Sequence, residues 1–443
     1  MKNLKTEDRE IADLIVGEEI RQREVLEMVP SENYTSPAVR EAVGSILMDK
    51  YAEGLPGKRY YQGNRIIDEI ENLAVARFKK LFGVPYINVQ PYSGSPANSA
   101  VYFALLNPGE KIMGLALASG GHLTHGHPRV TFSGKYFSSV QYAVEDNGWI
   151  DYGKLEKLVA AEKPQIIVCG TTAYPRFLDF AKFSKIGHAV GAYVLADISH
   201  LAGLIIAGVH PSPVPFADIV MTTTHKTLRG PRGAVIMVTE TGLRKDPELG
   251  EKIDKAVFPG LQGGPHENII AGIAVCAKEA SNPEFKKYGE QVVQNAKALA
   301  ENLLSSGLEL VSGGTDNHLM VIDLRKKKLL GNVAAAALEE AGIVTNKNAV
   351  PGDPLPPFYA SGIRLGTPAI TSRGMKEGEM KIISRWVGEV INFLVPYPDL
   401  AVVQTKESRS AYSQKALDGI KFNRRLKEIS GEVKNLCQKF PVN

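Results

Sequence analysis

The sequence predicts an α/β fold built on a mostly parallel sheet, followed by a smaller α+β unit. Two observations predict it. Short apolar runs alternate with helical patterns between residues 86 and 238, and these runs are apolar at nearly every position, as strands covered on both faces are. Beyond residue 280 the pattern changes to a long helical stretch, isolated apolar strands and further helices.

In chain order, residues 6–26 have the charged and apolar spacing of an amphipathic helix. Residues 28–64 are polar, aromatic and rich in Gly and Pro, and a long irregular segment inside a compact enzyme is usually functional. A helix over 66–82 follows, with Ile67, Ile70, Ala74 and Phe78 on one face and Gly83 as its stop. The strand-like runs are then YINVQ, KIMGLA, QIIVC, YVLAD, DIVMTTT and AVIMV, with a helix from Pro96 to Leu106 after the first. A single helical stretch over about 268–306 leads to LMVIDL, a helix over 334–341 and SGIRLGTPAI. The expected organisation is an N-terminal helical arm (1–30), a large domain (31–280) and a small domain (281–443).

Composition narrows the function. The 443 residues are 44% hydrophobic and 23% charged, an ordinary globular mixture. With 52 basic against 48 acidic residues the formal net charge is only +4, so no overall field points to nucleic acid. The N-terminus lacks the continuous apolar core of a signal peptide, and no run approaches the length of a membrane span. Cys169, Cys276 and Cys437 are widely separated and odd in number, which argues against a disulfide framework. A cytoplasmic location and small-molecule chemistry are expected.

In sheets of this kind ligands bind beyond the carboxyl ends of the strands, so the polar residues there are the candidates. TTTHKTLRGPRG places Lys226 just after a strand, flanked by His225, Arg229 and Arg232, and cationic neighbours lower an amine's pKa toward the neutral form that Schiff-base chemistry needs. YVLADISH ends a strand on Asp197, with His200 three residues on; the carboxylate suits either a helix cap or a partner for a cationic ring nitrogen. PYSGSPAN sets Ser93, Gly94 and Ser95 before a helix, with Ser at the N-cap and Pro96 expected at the first helical position, a cradle for an anion or simply a capped helix. SGGHLTHGH gathers His122, His125 and His127, without a recognisable zinc spacing. Arg364 in SGIRLG is suited to a carboxylate, although alone it fits a structural ion pair equally well.

Taken together, SENYTSP, KYAEGLPGKRYY, GGHLTHG, TTTHKTLRGPRG, FPGLQGGPH, SGGTDNHL, NKNAVPGDP and SGIRLGTPA closely resemble the serine hydroxymethyltransferase family, in register over most of the chain. The resemblance implies a fold-type-I, aspartate-aminotransferase-like enzyme with a seven-stranded sheet, using pyridoxal 5'-phosphate to pass the hydroxymethyl carbon of serine to tetrahydrofolate. It also implies glycine and 5,10-methylenetetrahydrofolate as products, and a folate-independent aldolase side activity. The assembly implied is a homodimer, or a dimer of dimers, with shared active sites.

By the same resemblance, Lys226 would carry the cofactor as a Schiff base, Asp197 would pair with the pyridinium nitrogen, His122 would stack on the ring and His200 would contact its phenolic oxygen. Phosphate would rest on Ser93, Gly94, Ser95 and His225, with Tyr51, Gly263 and Gly264 of the neighbouring subunit; Thr172 and Arg232 match further cofactor-side positions. Arg364 with Ser31 and Tyr61 would hold the amino-acid carboxylate, and Glu53 with Tyr60 would lie near the serine hydroxyl and folate, Glu53 managing protons. Leu117, Gly121, His122, Leu123 and Asn346 match folate contacts. No metal and no membrane partner are implied. Four features depart from the usual pattern: Pro96 for Gln, Thr172 for Ser, Ser199 for Ala, and a longer segment over 396–426, expected to be a solvated helix.

Overall fold

The structure, a computed structural model, describes residues 2–128 and 130–442. They divide into two compact units, one of residues 35–293 with 315–317, the other of residues 2–34, 294–314 and 318–442.

The main sheet of the larger unit has seven strands: β1 (Tyr86–Asn88), β2 (Lys111–Leu115), β3 (Ser138–Tyr142), β4 (Ile166–Gly170), β5 (Tyr193–Asp197), β6 (Ile219–Thr223) and β7 (Ala234–Val238). Their order across the sheet is β1-β7-β6-β5-β4-β2-β3. β7 runs antiparallel to both neighbours and every other pairing is parallel. Alternate residues serve opposite faces. Ile167, Cys169, Val194 and Val220 belong to one apolar layer, while Ile166, Val168, Leu195 and Ile219 belong to the other. Six of these strands coincide with the apolar runs of the sequence. The seventh, β3, has the sequence SSVQY and lies at the sheet edge, mostly half-exposed, so it lacks the double-sided burial that marks the others.

Helices α1 (Arg65–Phe82), α2 (Gly94–Leu105), α3 (Tyr152–Glu162), α4 (Phe180–His188), α5 (Glu267–Ala280) and α6 (Pro283–Ser305) accompany the strands. α1 buries Ile67, Ala74 and Phe78 and stops at Gly83, whose φ of 67° lets its N–H reach the carbonyl of Lys79. The stretch expected as one helix over 268–306 is two, α5 and α6, because a proline has no N–H to continue a helix but is accepted in the first turn of a new one.

The smaller unit holds a four-stranded antiparallel sheet of β8 (Glu309–Leu310), β9 (Leu319–Asp323), β10 (Asn346–Asn348) and β11 (Gly362–Gly366), ordered β8-β9-β11-β10. Helices Gly331–Glu340 and Glu377–Phe393 pack in its core. The expected arm over 1–30 belongs to this unit. It forms two helices, Lys2–Glu7 and Arg9–Glu24, and then Leu26–Glu27, paired in parallel with Ile343–Val344. Arg373 fastens it, donating to the carbonyls of Gln22, Arg23 and Val25 and also to those of Cys437 and Phe440. The division between units falls at 293/294 within α6 rather than near 280. The 396–426 segment holds a short turn, Leu400–Val403, and a largely exposed helix, Lys406–Lys421, that buries Ser413 and Ile420. Among the described residues no helix is long and apolar enough to cross a membrane.

Candidate active site

The carboxyl ends of the adjacent strands β5 and β6 bring the central groups together. Asp197 closes β5 and Thr223 closes β6. Three residues on, Lys226 turns its Nζ back to donate to Thr223 Oγ1 at 3.1 Å. Ser199 ties the two strand ends to each other: its N–H donates to Asp197 Oδ1 at 3.0 Å, and its hydroxyl accepts from Thr223 N–H at 3.1 Å. The hydroxyl that departs from the family pattern therefore has a local structural use. Asp197 does not cap a helix, since the next begins at Ala202 with Leu201 as its cap.

Asp197 is 6% exposed. Its Oδ2 accepts from His125 Nε2 at 2.9 Å and from Asn98 Nδ2 at 3.0 Å. Burial pushes its pKa upward, but the interaction with His125, then Lys226 and Ser199, outweighs it and holds the carboxyl well below the usual range. His125 Nδ1 in turn accepts from His122 N–H at 3.3 Å, so a proton on Nε2 satisfies both of its contacts. His122 lies 2.7 Å through Nδ1 from Thr124 Oγ1, which also receives Asn98 Nδ2 at 2.9 Å.

The backbone before His122 is tightly constrained. A Cβ on Gly121 would lie 1.8 Å from Leu115 O, so only glycine fits there. Thr172 secures the same turn, its N–H bonding Gly120 O at 2.7 Å and its hydroxyl bonding Gly121 O at 2.9 Å. Leu117 opens the preceding short turn, Leu117–Ser119, and Leu123 is 41% exposed beside the histidines. His200 is buried, and its carbonyl accepts from Thr227 Oγ1 at 3.0 Å.

At the amino end of α2, helix formation begins at Gly94, with Ser93 as the N-cap residue and its side chain not used in capping. Pro96 is thus the third helical residue rather than the first, a position still tolerated because the first-turn N–H groups have no intrahelical acceptor. Those of Gly94 and Ser95 remain to face an anion. A Cβ on Gly94 would meet Thr223 Cγ2 at 2.7 Å, so this turn sits directly against the end of β6. His225 is largely buried, and its Nδ1 has no hydrogen-bond partner among the described residues. Burial, then the charges of Lys226 and Arg232, depress its pKa to about 3 and keep the imidazole neutral. Arg232 itself is exposed.

A second group gathers around the hairpin Gly54–Leu55 and Lys58–Arg59, anchored by Arg59 to Asp68 at 2.9 Å and to Glu71 at 2.7 Å. Tyr51 and Tyr61 meet edge to face at 5.2 Å, and Tyr60 packs on Phe258 at 5.6 Å. The Glu53 carboxylate lies beside Gly263 and Gly264, where added Cβ atoms would stand 3.3 Å from its Oε1 and 3.7 Å from its Cγ. Its charge raises the pKa of the Tyr61 phenol. Tyr51, Tyr60 and Tyr61 are 59%, 70% and 45% exposed.

In the smaller unit, Arg364 occupies β11 and donates from Nε to Asn346 Oδ1 on β10 at 3.1 Å. Burial lowers its pKa to about 10. Ser31 follows Pro30, which packs where a Cβ on Gly366 would lie, 2.8 Å away, while Gly366 N–H bonds Met28 O at 2.8 Å. The segment carrying Ser31 is thereby held at the end of the Arg364 strand.

The sequence profile of serine hydroxymethyltransferase matches residues 4–387. The chain belongs to the serine hydroxymethyltransferase family. It is 52% identical over 442 residues to a serine hydroxymethyltransferase of Desulfotalea psychrophila, spanning 100% of this chain and 96% of that one. A serine hydroxymethyltransferase of Myxococcus xanthus is 51% identical over 446 residues, 100% and 99% of the two chains, and one of Acidothermus cellulolyticus is 51% identical over 436 residues, 98% and 96%.

As a serine hydroxymethyltransferase this is a transferase of fold type I that interconverts serine and glycine with tetrahydrofolate as the one-carbon carrier and pyridoxal phosphate as cofactor. The residues present fit that cofactor: a buried neutral imidazole nitrogen without a partner, helix-start N–H groups beside two serine hydroxyls, and a buried carboxylate held ionised. Sequence reasoning missed Asn98, Thr223 and the role of His125. Asn98 and His125 stood in quoted motifs, but nothing in their spacing connects either with Asp197, 99 and 72 residues away.

Proposed function

We propose that Lys226 carries pyridoxal phosphate, that Asp197 pairs with its ring nitrogen and that His122 stacks on the ring, with His200 near its phenolic oxygen. Ser93, Gly94, Ser95 and His225 receive the phosphate. Thr172 and Arg232 flank the cofactor, Thr172 by holding the Gly120–Gly121 turn. The observation that carries this reading is the placement of Asp197 at the end of one strand and Lys226 just beyond the end of its neighbour, the carboxylate held ionised chiefly by His125 and the amine held by Thr223.

Pyridoxal phosphate, when bound, supplies an electron sink for charge developing on the amino-acid carbon. The chain's own groups bind and orient. Asp197, kept charged, maintains a proton on the cofactor ring nitrogen, which makes that sink effective. Arg364, assisted by Ser31 and Tyr61, takes the amino-acid carboxylate through its planar fork. Glu53, with Tyr60, holds or moves the proton at the serine hydroxyl, and Leu117, Gly121, His122, Leu123 and Asn346 line the folate site.

The assembly in this reading is a homodimer, or a dimer of dimers, in which Tyr51, Gly263 and Gly264 of each subunit serve its neighbour's phosphate. Two exposed surfaces support it: the Tyr51, Tyr60 and Tyr61 cluster, and Ile11, Leu14 and Ile15 on one face of helix Arg9–Glu24, apolar residues that a second chain would cover. A cytoplasmic location is supported by three free, buried cysteines.

The test is to reduce the purified enzyme with borohydride, map the modified peptide and assay glycine formation from serine with and without tetrahydrofolate. The label is expected on Lys226, and Lys226→Ala should lose both label and turnover. A label elsewhere, or undiminished turnover in the variant, overturns the assignment.

A further inference from the structure

Four cations from three helices border one cleft of the larger unit, about 590 Å³ in volume. Arg77 and Lys80 stand three residues apart on the last turns of α1, Lys278 lies in the last turn of α5, and Lys286 lies in the first turn of α6. Residues three apart on a helix share a face, so the first two point the same way. Leu81, Ile206 and Ala277 supply an apolar floor. None of these residues belongs to the candidate active site.

The charges are not consumed locally. Arg77 spends one N–H on Ala274 O at 2.7 Å, leaving the rest of its fork. None of the four takes part in an ion pair among the described residues. Of the nearby acids, Glu279 accepts the Ser36 hydroxyl at 2.5 Å and Glu284 is exposed on the first turn of α6. Like charges around a shared space repel one another, and an apolar floor strengthens that repulsion by lowering the local dielectric. A compact multiply charged anion reverses the sign of the interaction.

We propose that this cleft binds an oligophosphate, either free or as the phosphate chain of a nucleotide. Three lysines act as point charges and one arginine as a fork, a set suited to phosphate oxygens distributed along a chain. Four cations match the charge that a triphosphate concentrates in a small volume.

The experiment titrates the holoenzyme, cofactor in place, with inorganic tripolyphosphate, adenosine triphosphate and citrate by calorimetry at low and raised salt. Saturable binding of at least one phosphate probe at one site per chain is expected, weakening as salt screens the charges. The tighter of the two phosphate probes identifies the source. The double variant Lys80→Glu, Lys278→Glu is expected to bind at least about tenfold more weakly, a difference of about 1.4 kcal/mol, with turnover of serine unchanged. Lys157→Glu with Lys381→Glu makes the same change in net charge at exposed positions elsewhere and should bind as the native enzyme does. The proposal fails if neither phosphate probe saturates, if citrate binds as tightly as both, or if the two double variants behave alike.

Discussion

His125 Nε2 lies 2.9 Å from Asp197 Oδ2 and ties the loop that follows β2 to the carboxyl end of β5. It is the principal interaction that keeps a 6% exposed carboxyl ionised against the effect of its own burial. Through His122 N–H on its other nitrogen, the same ring also steadies the turn that presents His122.

Removing His125 should therefore act on the cofactor. A hydrogen bond to a charged group contributes about 1.5–3 kcal/mol, so His125→Ala is expected to weaken pyridoxal phosphate retention by about tenfold or more. The direction with pH follows from linkage: a depressed carboxyl pKa gives stabilisation present above the ordinary carboxylate range and lost as pH falls toward the folded value. Without His125 that value rises, and acid release of the cofactor moves to higher pH. Titrating the apoenzyme with cofactor across pH, by visible absorption, checks this; an unmoved acid limit would remove His125 from the role.

Glu53→Gln preserves shape and hydrogen bonding while removing the ionisable proton. General acid–base contributions run to about 10²–10⁴-fold, and a loss of that order is expected in folate-dependent glycine formation. Cofactor binding should stay native, as read from its absorption. Full folate-dependent activity in this variant would mean that another group manages the proton.

Arg364→Lys keeps a charge but loses the fork, and its ammonium cannot reproduce a two-point grip on a carboxylate. Serine KM should rise by about ten- to a hundredfold, the equivalent of losing one charge-assisted hydrogen bond, with the loss falling on KM more than on kcat. A native KM would assign Arg364 to structure, through Asn346, instead of substrate.

Glu267 offers a stability test at the buried start of α5. Both of its carboxylate oxygens are buried without a partner among the described residues, and burial, followed by the charge of Glu71, raises its pKa from 4.5 to about 8. Below pH 4.5 folded and unfolded chains are both protonated there. Between that value and about 8 the unfolded chain has released a proton that the folded chain retains, so stability falls as pH rises, by at most about 1.4 kcal/mol per pH unit. Glu267→Gln should flatten this slope in denaturant titrations from pH 5 to 8, and an unchanged slope would show that the carboxyl ionises at its ordinary value.

The sequence by itself determined the fold class, the six doubly buried strands, the Gly83 stop of α1 and the candidate groups Lys226, Asp197 and Arg364, along with the family. All of these are written in neighbouring residues: apolar runs, helical spacing, turn chemistry and contiguous motifs. Tertiary structure decided the rest. The polar edge strand β3 exists because β2 offers it a partner, and residues 2–34 join the smaller unit because Arg373 collects carbonyls from both the N-terminal and the C-terminal segments. His125 became the partner of Asp197, 72 positions along the chain, only when the segment between them was folded away. Local periodicity reports which face of an element is buried, whereas the identity of what covers it depends on how distant segments close on one another.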